Sequence, residues 1–273
     1  MKAIAIINLK GGVGKTVTAV NMAAILAGDH HKRVLLGDCD SQCNTTDFFR
    51  SASNDYFRDA TTVSDLLLQT HGGWLPDLVS GTDIPGLDIL PATDALMDLD
   101  IRTIGQRVDG FALRDLCRTV EDDDAYDYIL FDCPPAFNAA SAAALAAATD
   151  AIIPIKMDAF SIRGLRNVTR QIDNMHKINP NLRVAGALIT MWRNVPVVLE
   201  AEASLRDSGL LPVFQTVIRR SDKVDEMTFK GKPITVYSPR SAAGYDYRNF
   251  VQEFLEPQIT MDEYAEGGVR DAV

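Results

Sequence analysis

The chain has 273 residues, of which 47% are hydrophobic and 23% charged, and its formal net charge is -10. That length builds a full core without metal or disulfide staples, and the composition is that of a globular protein. The acidic balance argues against a surface that is a nucleic-acid clamp throughout, while leaving room for a local basic patch.

Short apolar runs alternate with helix-length segments along the chain. A strand is expected over residues 3–7, then a Gly-rich loop, then a helix over 16–27 rich in alanine. A second strand covers 33–36 and leads to Asp38. The stretch 48–85 is polar and glycine-containing, and reads as an excursion within the domain, with a short helix at Val63–Leu68. Strands follow at Leu87–Leu90, stopped by Pro91, and at 128–131, ending on Asp132. A nearly all-alanine helix spans 139–148. Then come a strand at 151–155, a helix at 162–178 with Leu165, Val168, Ile172 and Met175 at helical spacing, strands at 184–189 and 213–218, and a last helix at Ala242–Leu255.

Strands this uniformly apolar are covered on both faces, which means a parallel sheet. The repeated strand-then-helix order gives an α/β class: a doubly wound, mostly parallel sheet flanked by helices in three layers. Residues 1–256 are expected to form one domain, and 257–273 an acidic, frayed tail. Cys39, Cys43, Cys117 and Cys133 include no C-x-x-C pair, so reduced thiols in a cytosol are the simplest reading. Cys39 and Cys43 have no second ligand pair at zinc spacing. No secretory leader and no apolar run of ~18 residues is found.

The chemistry sits in Lys10-Gly11-Gly12-Val13-Gly14-Lys15-Thr16. Leu9 and Lys10 stand where the strict G-x-x-x-x-G-K-[ST] pattern wants its first glycine, so this is a variant of that loop. Its physics is unchanged. Glycines let successive N–H groups turn toward phosphate oxygens, and the helix that follows offers its positive end. Lys15 reaches the β and γ phosphates, and the Thr16 hydroxyl ligates magnesium. The competing reading, a Gly-rich turn with incidental lysines, is disfavoured by the strand before it and the helix after it. Asp38, Asp40 and Asp132 fall at or just past strand ends, where open α/β sheets bind ligands. Their competing reading is the capping of the next turn.

Two lysines bracketing the glycines resemble the deviant Walker A signature of the ParA/MinD family, as in short ParA/Soj-type partition proteins. Asp38-Cys39-Asp40-Ser41-Gln42-Cys43-Asn44 resembles that family's switch I. The segment from Tyr126 to Asp132-Cys133-Pro134-Pro135 is similar to its Walker B and switch II, and Gly231-Lys232-Pro233-Ile234 through Tyr245 to its ending. The resemblance runs from residue 2 to about 255 and implies a P-loop NTPase fold that hydrolyses ATP with magnesium. It implies Lys10, Lys15 and Asp40 as catalytic groups, with Lys10 reaching a partner's phosphates across a homodimer. Nucleotide binding falls to Lys10, Gly11, Gly12, Val13, Gly14, Lys15, Thr16 and Val17, with the base near Met191 and Arg219. Metal binding falls to Thr16, Asp38 and Asp132. Ser41 and Cys43 depart from the family's usual Pro and Gly, Val17 from its usual Thr, and Gly37 stands where an apolar strand residue is expected.

The implied partners are a ParB-like adaptor and DNA bound without sequence preference. Arg193, Arg219, Arg220 and Lys223 are the candidate DNA contacts, beside Lys230 and Lys232 and a stripe of Arg163, Arg166 and Arg170. A solvated helix face is the competing reading of the stripe. No N-K-x-D-like guanine reader is found, and adenine is preferred by resemblance. The acidic tail lacks the basic amphipathic pattern of a membrane anchor. A cytoplasmic location is expected, nucleoid-associated if DNA is bound. Two other functions compete: a metabolic P-loop ligase or kinase resembling dethiobiotin synthetase, and a low-turnover nucleotide-binding regulator.

Overall fold

The structure is a computed structural model and describes residues 1–50, 60–69, 79–102 and 108–256. Among them, eight strands form one sheet: β1 (Lys2–Ile6), β2 (Val34–Asp38), β3 (Ser80–Gly81), β4 (Leu87–Leu90), β5 (Tyr128–Asp132), β6 (Asp150–Lys156), β7 (Arg183–Trp192) and β8 (Val213–Arg219). The order across the sheet is β3-β4-β2-β5-β1-β6-β7-β8. Every neighbouring pair is parallel except β3 with β4.

Alternation along the central strands feeds two cores. Ala3 and Ala5, Leu35, and Ile129 and Phe131 pack on one face; Ile4 and Ile6, Val34 and Leu36, and Leu130 pack on the other. Both faces are dry, which is why these strands read as unbroken apolar runs. The described helices are α1 (Lys15–Gly28), α2 (Asn44–Phe49), α3 (Val63–Leu68), α4 (Leu96–Arg102), α5 (Ala112–Asp122), α6 (Ala139–Ala147), α7 (Ser161–Met175), α8 (Pro196–Asp207), α9 (Asp222–Lys230), α10 (Ile234–Tyr237) and α11 (Ala242–Leu255). The cores of α5, α6 and α7 lie with Phe131, and those of α1 and α11 with Leu36. Small residues on α1 (Ala19, Ala23, Ala27) let Tyr247, Phe250 and Phe254 of α11 share its core.

The expected doubly wound architecture is present, with three differences in detail. The polar excursion contributes β3, a two-residue antiparallel edge too short to show a period. Helices α2, α4, α5, α8, α9 and α10 were not expected. The helix read over 162–178 ends at Met175, where the Lys177 and Ile178 amides take carbonyls three residues back, Asn174 at 3.4 Å and Met175 at 2.9 Å. The short helix α3 is present and carries a reciprocal cap between Thr62 and Asp65. Residues 51–59 and 70–78 of the excursion, and the tail 257–273, lie outside the described residues.

Gly37 occupies the apolar position of β2 for a steric reason. A Cβ there would stand 3.1 Å from Cδ1 of Phe131, whose ring is fully buried on the adjoining strand. Gly37→Ala therefore overpacks the sheet beneath the site. It is expected to cost about 1–3 kcal/mol of unfolding free energy, read from urea denaturation; an unchanged midpoint would show that the ring yields freely.

Candidate functional site

Three strand ends meet at the carboxyl edge of the sheet. In the ladders joining β2, β5 and β1, Asp38 stands opposite Asp132, and Asp132 opposite Ile6. The loop leaving β1 is braced by Asn8, whose amide donates to the Pro154 carbonyl at 2.8 Å and accepts from the Lys10 N–H at 3.0 Å. Gly12 and Gly14 then take left-handed backbone, with φ of 67° and 86°, and turn the loop's N–H groups toward a common centre. A Cβ built on Gly11 or Gly12 would meet nothing within 4 Å, so the loop lies against open space. Helix α1 begins with no side-chain cap and no acidic residue in its first turn. Its leading amides and its dipole are left for an external anion.

Lys15 lies in this loop, 7% exposed, with Nζ 3.2 Å from the Lys10 carbonyl. Burial lowers its pKa, against the pull of Asp132, Asp40 and Cys133. Thr190 of β7, also buried, donates its hydroxyl to the Val13 carbonyl at 2.7 Å and ties the loop to the sheet.

The carboxylates divide into distinct roles. Asp38 is fully buried: its Oδ1 accepts the Asp40 N–H at 3.1 Å, and its Oδ2 accepts the Thr46 N–H and hydroxyl at 2.8 and 2.7 Å. Its pKa is pushed up to about 6, chiefly by burial. Asp132 is also fully buried and accepts the Thr45 hydroxyl at 2.7 Å on Oδ2. Burial, then the nearby Asp38, push it up to about 7, against the pull of the Thr16 and Thr45 hydroxyls and Lys15. Among the described residues its Oδ1 has no partner within normal hydrogen-bond geometry. A buried, unsatisfied carboxylate oxygen beside the Thr16 hydroxyl is an all-oxygen donor set of the kind that suits magnesium. Asp40 is 7% exposed and turns its Oδ1 to the Gln42 N–H at 3.0 Å.

Lys10 lies at the rim, its ammonium paired with Asp158 of the same chain. Met191 and Arg219 line a cleft that opens beside Gly14 and Val17. Of the four candidate DNA contacts, Arg219 is bound to Asp246 and Lys223 to Glu226. Arg193 and Arg220 are exposed and make no ion pair among the described residues. Arg163, Arg166 and Arg170 lie exposed on α7, and Lys230 and Lys232 are exposed as well.

The site also uses residues that the sequence reading did not single out: Thr45, Thr46, Thr190, Asp158 and Asp246. Thr45 and Thr46 had a legible signal, two hydroxyls directly after the acidic segment. The others come from distant parts of the chain: β7, the loop after β6, and α11.

A family described as an AAA domain matches residues 1–184. The chain is 32% identical to the chromosome partitioning protein ParA of Caulobacter vibrioides, covering 93% of this chain and 94% of that one. It is 35% identical to the chromosome-partitioning ATPase Soj of Thermus thermophilus, covering 93% and 96%. The chain belongs to the ParA/Soj family of P-loop ATPases. Its fold matches the crystal structure of cobyrinic acid a,c-diamide synthase from Mycobacterium smegmatis with bound ADP and magnesium, at a TM-score of 0.74 and 26% identity, covering 92% and 93% of the two chains. The backbone at Cys43 has a structural cost. Cys43 takes φ 54° and ψ 27° as the residue preceding α2. Glycine adopts that conformation freely, and a residue with a side chain pays roughly 1 kcal/mol.

Asp132 holds its proton more tightly folded than unfolded, about 7 against 3.8. Its contribution to stability is therefore full below about pH 4 and lost as pH rises through 7. Asp132→Asn removes that loss. Between about pH 5 and pH 8 the nucleotide-free variant should gain on the order of 2 kcal/mol over wild type, read from urea unfolding at each pH; parallel pH profiles would contradict it.

Proposed function

We propose that the chain is an ATP-dependent, dimerising ATPase of partition type. It binds ATP with magnesium, pairs with a second copy, hydrolyses ATP to ADP and phosphate, and so positions DNA or another cargo. The reading is supported above all by the uncapped start of α1, with Lys15, Asp40 and Asp132 gathered about it and Lys10 at its rim. Residues 1–256 act as one ATPase domain, in a cytoplasmic protein.

Each residue has a task in that cycle. The loop amides and Lys15, released from the Lys10 carbonyl, hold the β and γ phosphate oxygens. Magnesium, when bound, neutralises charge on those oxygens; the Thr16 hydroxyl and Asp132 would hold it. Asp38 keeps Thr46 and Asp40 in place. Asp40 accepts a hydrogen bond from the attacking water and aims it at the γ phosphorus. Lys10 leaves Asp158 and carries its ammonium to the phosphates of the second subunit, where it stabilises transition-state charge as an arginine finger does. Arg193 and Arg220 contact DNA phosphates without reading bases. A ParB-like adaptor stimulates turnover, in keeping with the partition proteins among the relatives.

Lys15→Ala should lower turnover by ~10²-fold or more and abolish any nucleotide-dependent change in sedimentation. Asp40→Ala should keep nucleotide affinity, lose turnover by a similar factor, and sediment as a dimer in ATP and magnesium. A strictly monomeric Asp40→Ala protein at saturating ATP would sink the dimer mechanism.

DNA retention should require ATP and weaken steeply with salt. Arg193→Ala and Arg220→Ala should each lower the salt slope by about one. Retention indifferent to the nucleotide would exclude the partition cycle.

A further inference from the structure

Strand β8 ends on Arg219, and the first turns of α11 pass beside it. Asp246 of α11, 6% exposed, takes three N–H groups from that single residue. The Arg219 backbone N–H donates to Oδ2 at 2.9 Å, Nε to Oδ2 at 3.0 Å, and Nη2 to Oδ1 at 2.7 Å. Nη2 also reaches the Ala242 carbonyl at 3.4 Å. A guanidinium held along its Nε–Nη2 edge, with its own backbone bound to the same carboxylate, has little freedom to turn. The Arg219 side chain stays 48% exposed.

The held group borders a cleft that opens beside the phosphate loop at Gly14 and Val17. Ile218, Val224 and Tyr247 give that cleft apolar walls. Two further features fix its shape. Thr190, on the same wall, is hydrogen-bonded to the loop carbonyl of Val13 at 2.7 Å. Met191 beside it is held at φ 51°, a left-handed backbone that a side chain adopts only under constraint. A nucleoside joined to a phosphate tail in the loop would project into this cleft. A flat cation at an apolar cleft wall fits the face of a purine.

The geometry points to Asp246 as a positioning residue for the nucleobase: it locks the Arg219 guanidinium as a planar wall on which the purine ring stacks. The assignment rests on the nucleotide-binding reading above. Asp246 touches no nucleotide itself and acts through Arg219. The stacking contact is made to the ring and adds nothing at the phosphates, so it deepens affinity for the nucleoside without entering the hydrolytic step.

The test separates base from phosphate. Affinities for ATP, ADP and inorganic tripolyphosphate are measured by calorimetry on wild type, Asp246→Asn and Arg219→Lys. The lysine variant keeps a cation for Asp246 and loses the plane, so the buried carboxylate is not left without a counter-charge. Both variants should bind ATP and ADP about tenfold more weakly, bind tripolyphosphate as wild type does, and raise KM with kcat unchanged. Circular dichroism and thermal melting identify properly folded variants. Nucleotide affinities within twofold of wild type in both folded variants would overturn the assignment. So would a parallel loss of tripolyphosphate binding, which would place the lock at the phosphate loop. Failure of wild type itself to bind either ATP or tripolyphosphate would instead remove the nucleotide reading on which the assignment rests.

Discussion

A helix that begins without a cap is the constraint on which the site depends. A Ser, Thr, Asp or Asn side chain can satisfy a helix's first free amides, as Thr62, Asn138, Ser221 and Ser241 do in this chain. Here Gly14, in left-handed backbone, has no side chain to spend, and the open space beside Gly11 and Gly12 is left clear. The charges around it are equally unfinished. The Lys15 ammonium is buried and weakened by burial, while two buried carboxyls, Asp38 and Asp132, are pushed toward protonation on adjoining strand ends. In the proposed reading, an anionic phosphate tail with a divalent cation would relieve these together, giving the amides and Lys15 an anion and Asp132 a cation. Native proteins depart from local satisfaction mainly at functional sites, and this site departs from it in charge and in hydrogen bonding together.

The surrounding scaffold keeps that arrangement in place with long-range hydrogen bonds. Asn8 joins the loop after β1 to β6, and Thr190 joins the same loop to β7. On the other side, the segment after β2 is stitched to both acidic strand ends, by Thr45 to Asp132 and Thr46 to Asp38. The Thr46 hydroxyl oxygen also accepts the Ala92 N–H at 2.8 Å, beyond the end of β4. A change of charge or ligation at the two aspartates is therefore felt directly by α2 and by the chain after β4. The strained backbone of Cys43 sits at the start of that same α2 segment, where a modest cost is added to the state seen here.

The central strands, the phosphate loop and the acidic strand ends were legible because each is a local pattern. Continuous apolar runs mark strands dry on both faces, and glycines with lysine before a helix mark an anion site whatever lies elsewhere in the chain. Helix α5 was overlooked although Leu113, Leu116, Cys117 and Val120 keep a helical period, because its many charges mask that stripe in a linear reading. Helix α8 offered less to find: Leu205 is its one fully packed residue. Gly37 looked like a lapse in an apolar strand until the Phe131 ring was placed against it. The ion pairs of Lys10 with Asp158 and of Arg219 with Asp246 span 148 and 27 positions, and no spacing rule joins such residues.

Likeness of fold decides less than these pairings do. The same architecture serves proteins named for chromosome partitioning and one named for amide synthesis on cobyrinic acid, so chemistry has to be argued from side chains. Lys10 carries that argument. It stands at the rim, its side chain 36% exposed, paired with a carboxylate whose own side chain is 33% exposed. Partly exposed pairs of this kind contribute little to stability, so the lysine is surrendered cheaply. In the proposed dimer, a partner's phosphates, more strongly charged than a single carboxylate and dehydrated on closure, would draw the same ammonium from Asp158. The weak pair at the rim is thus what would leave the lysine free to pass from one chain to another in the proposed cycle.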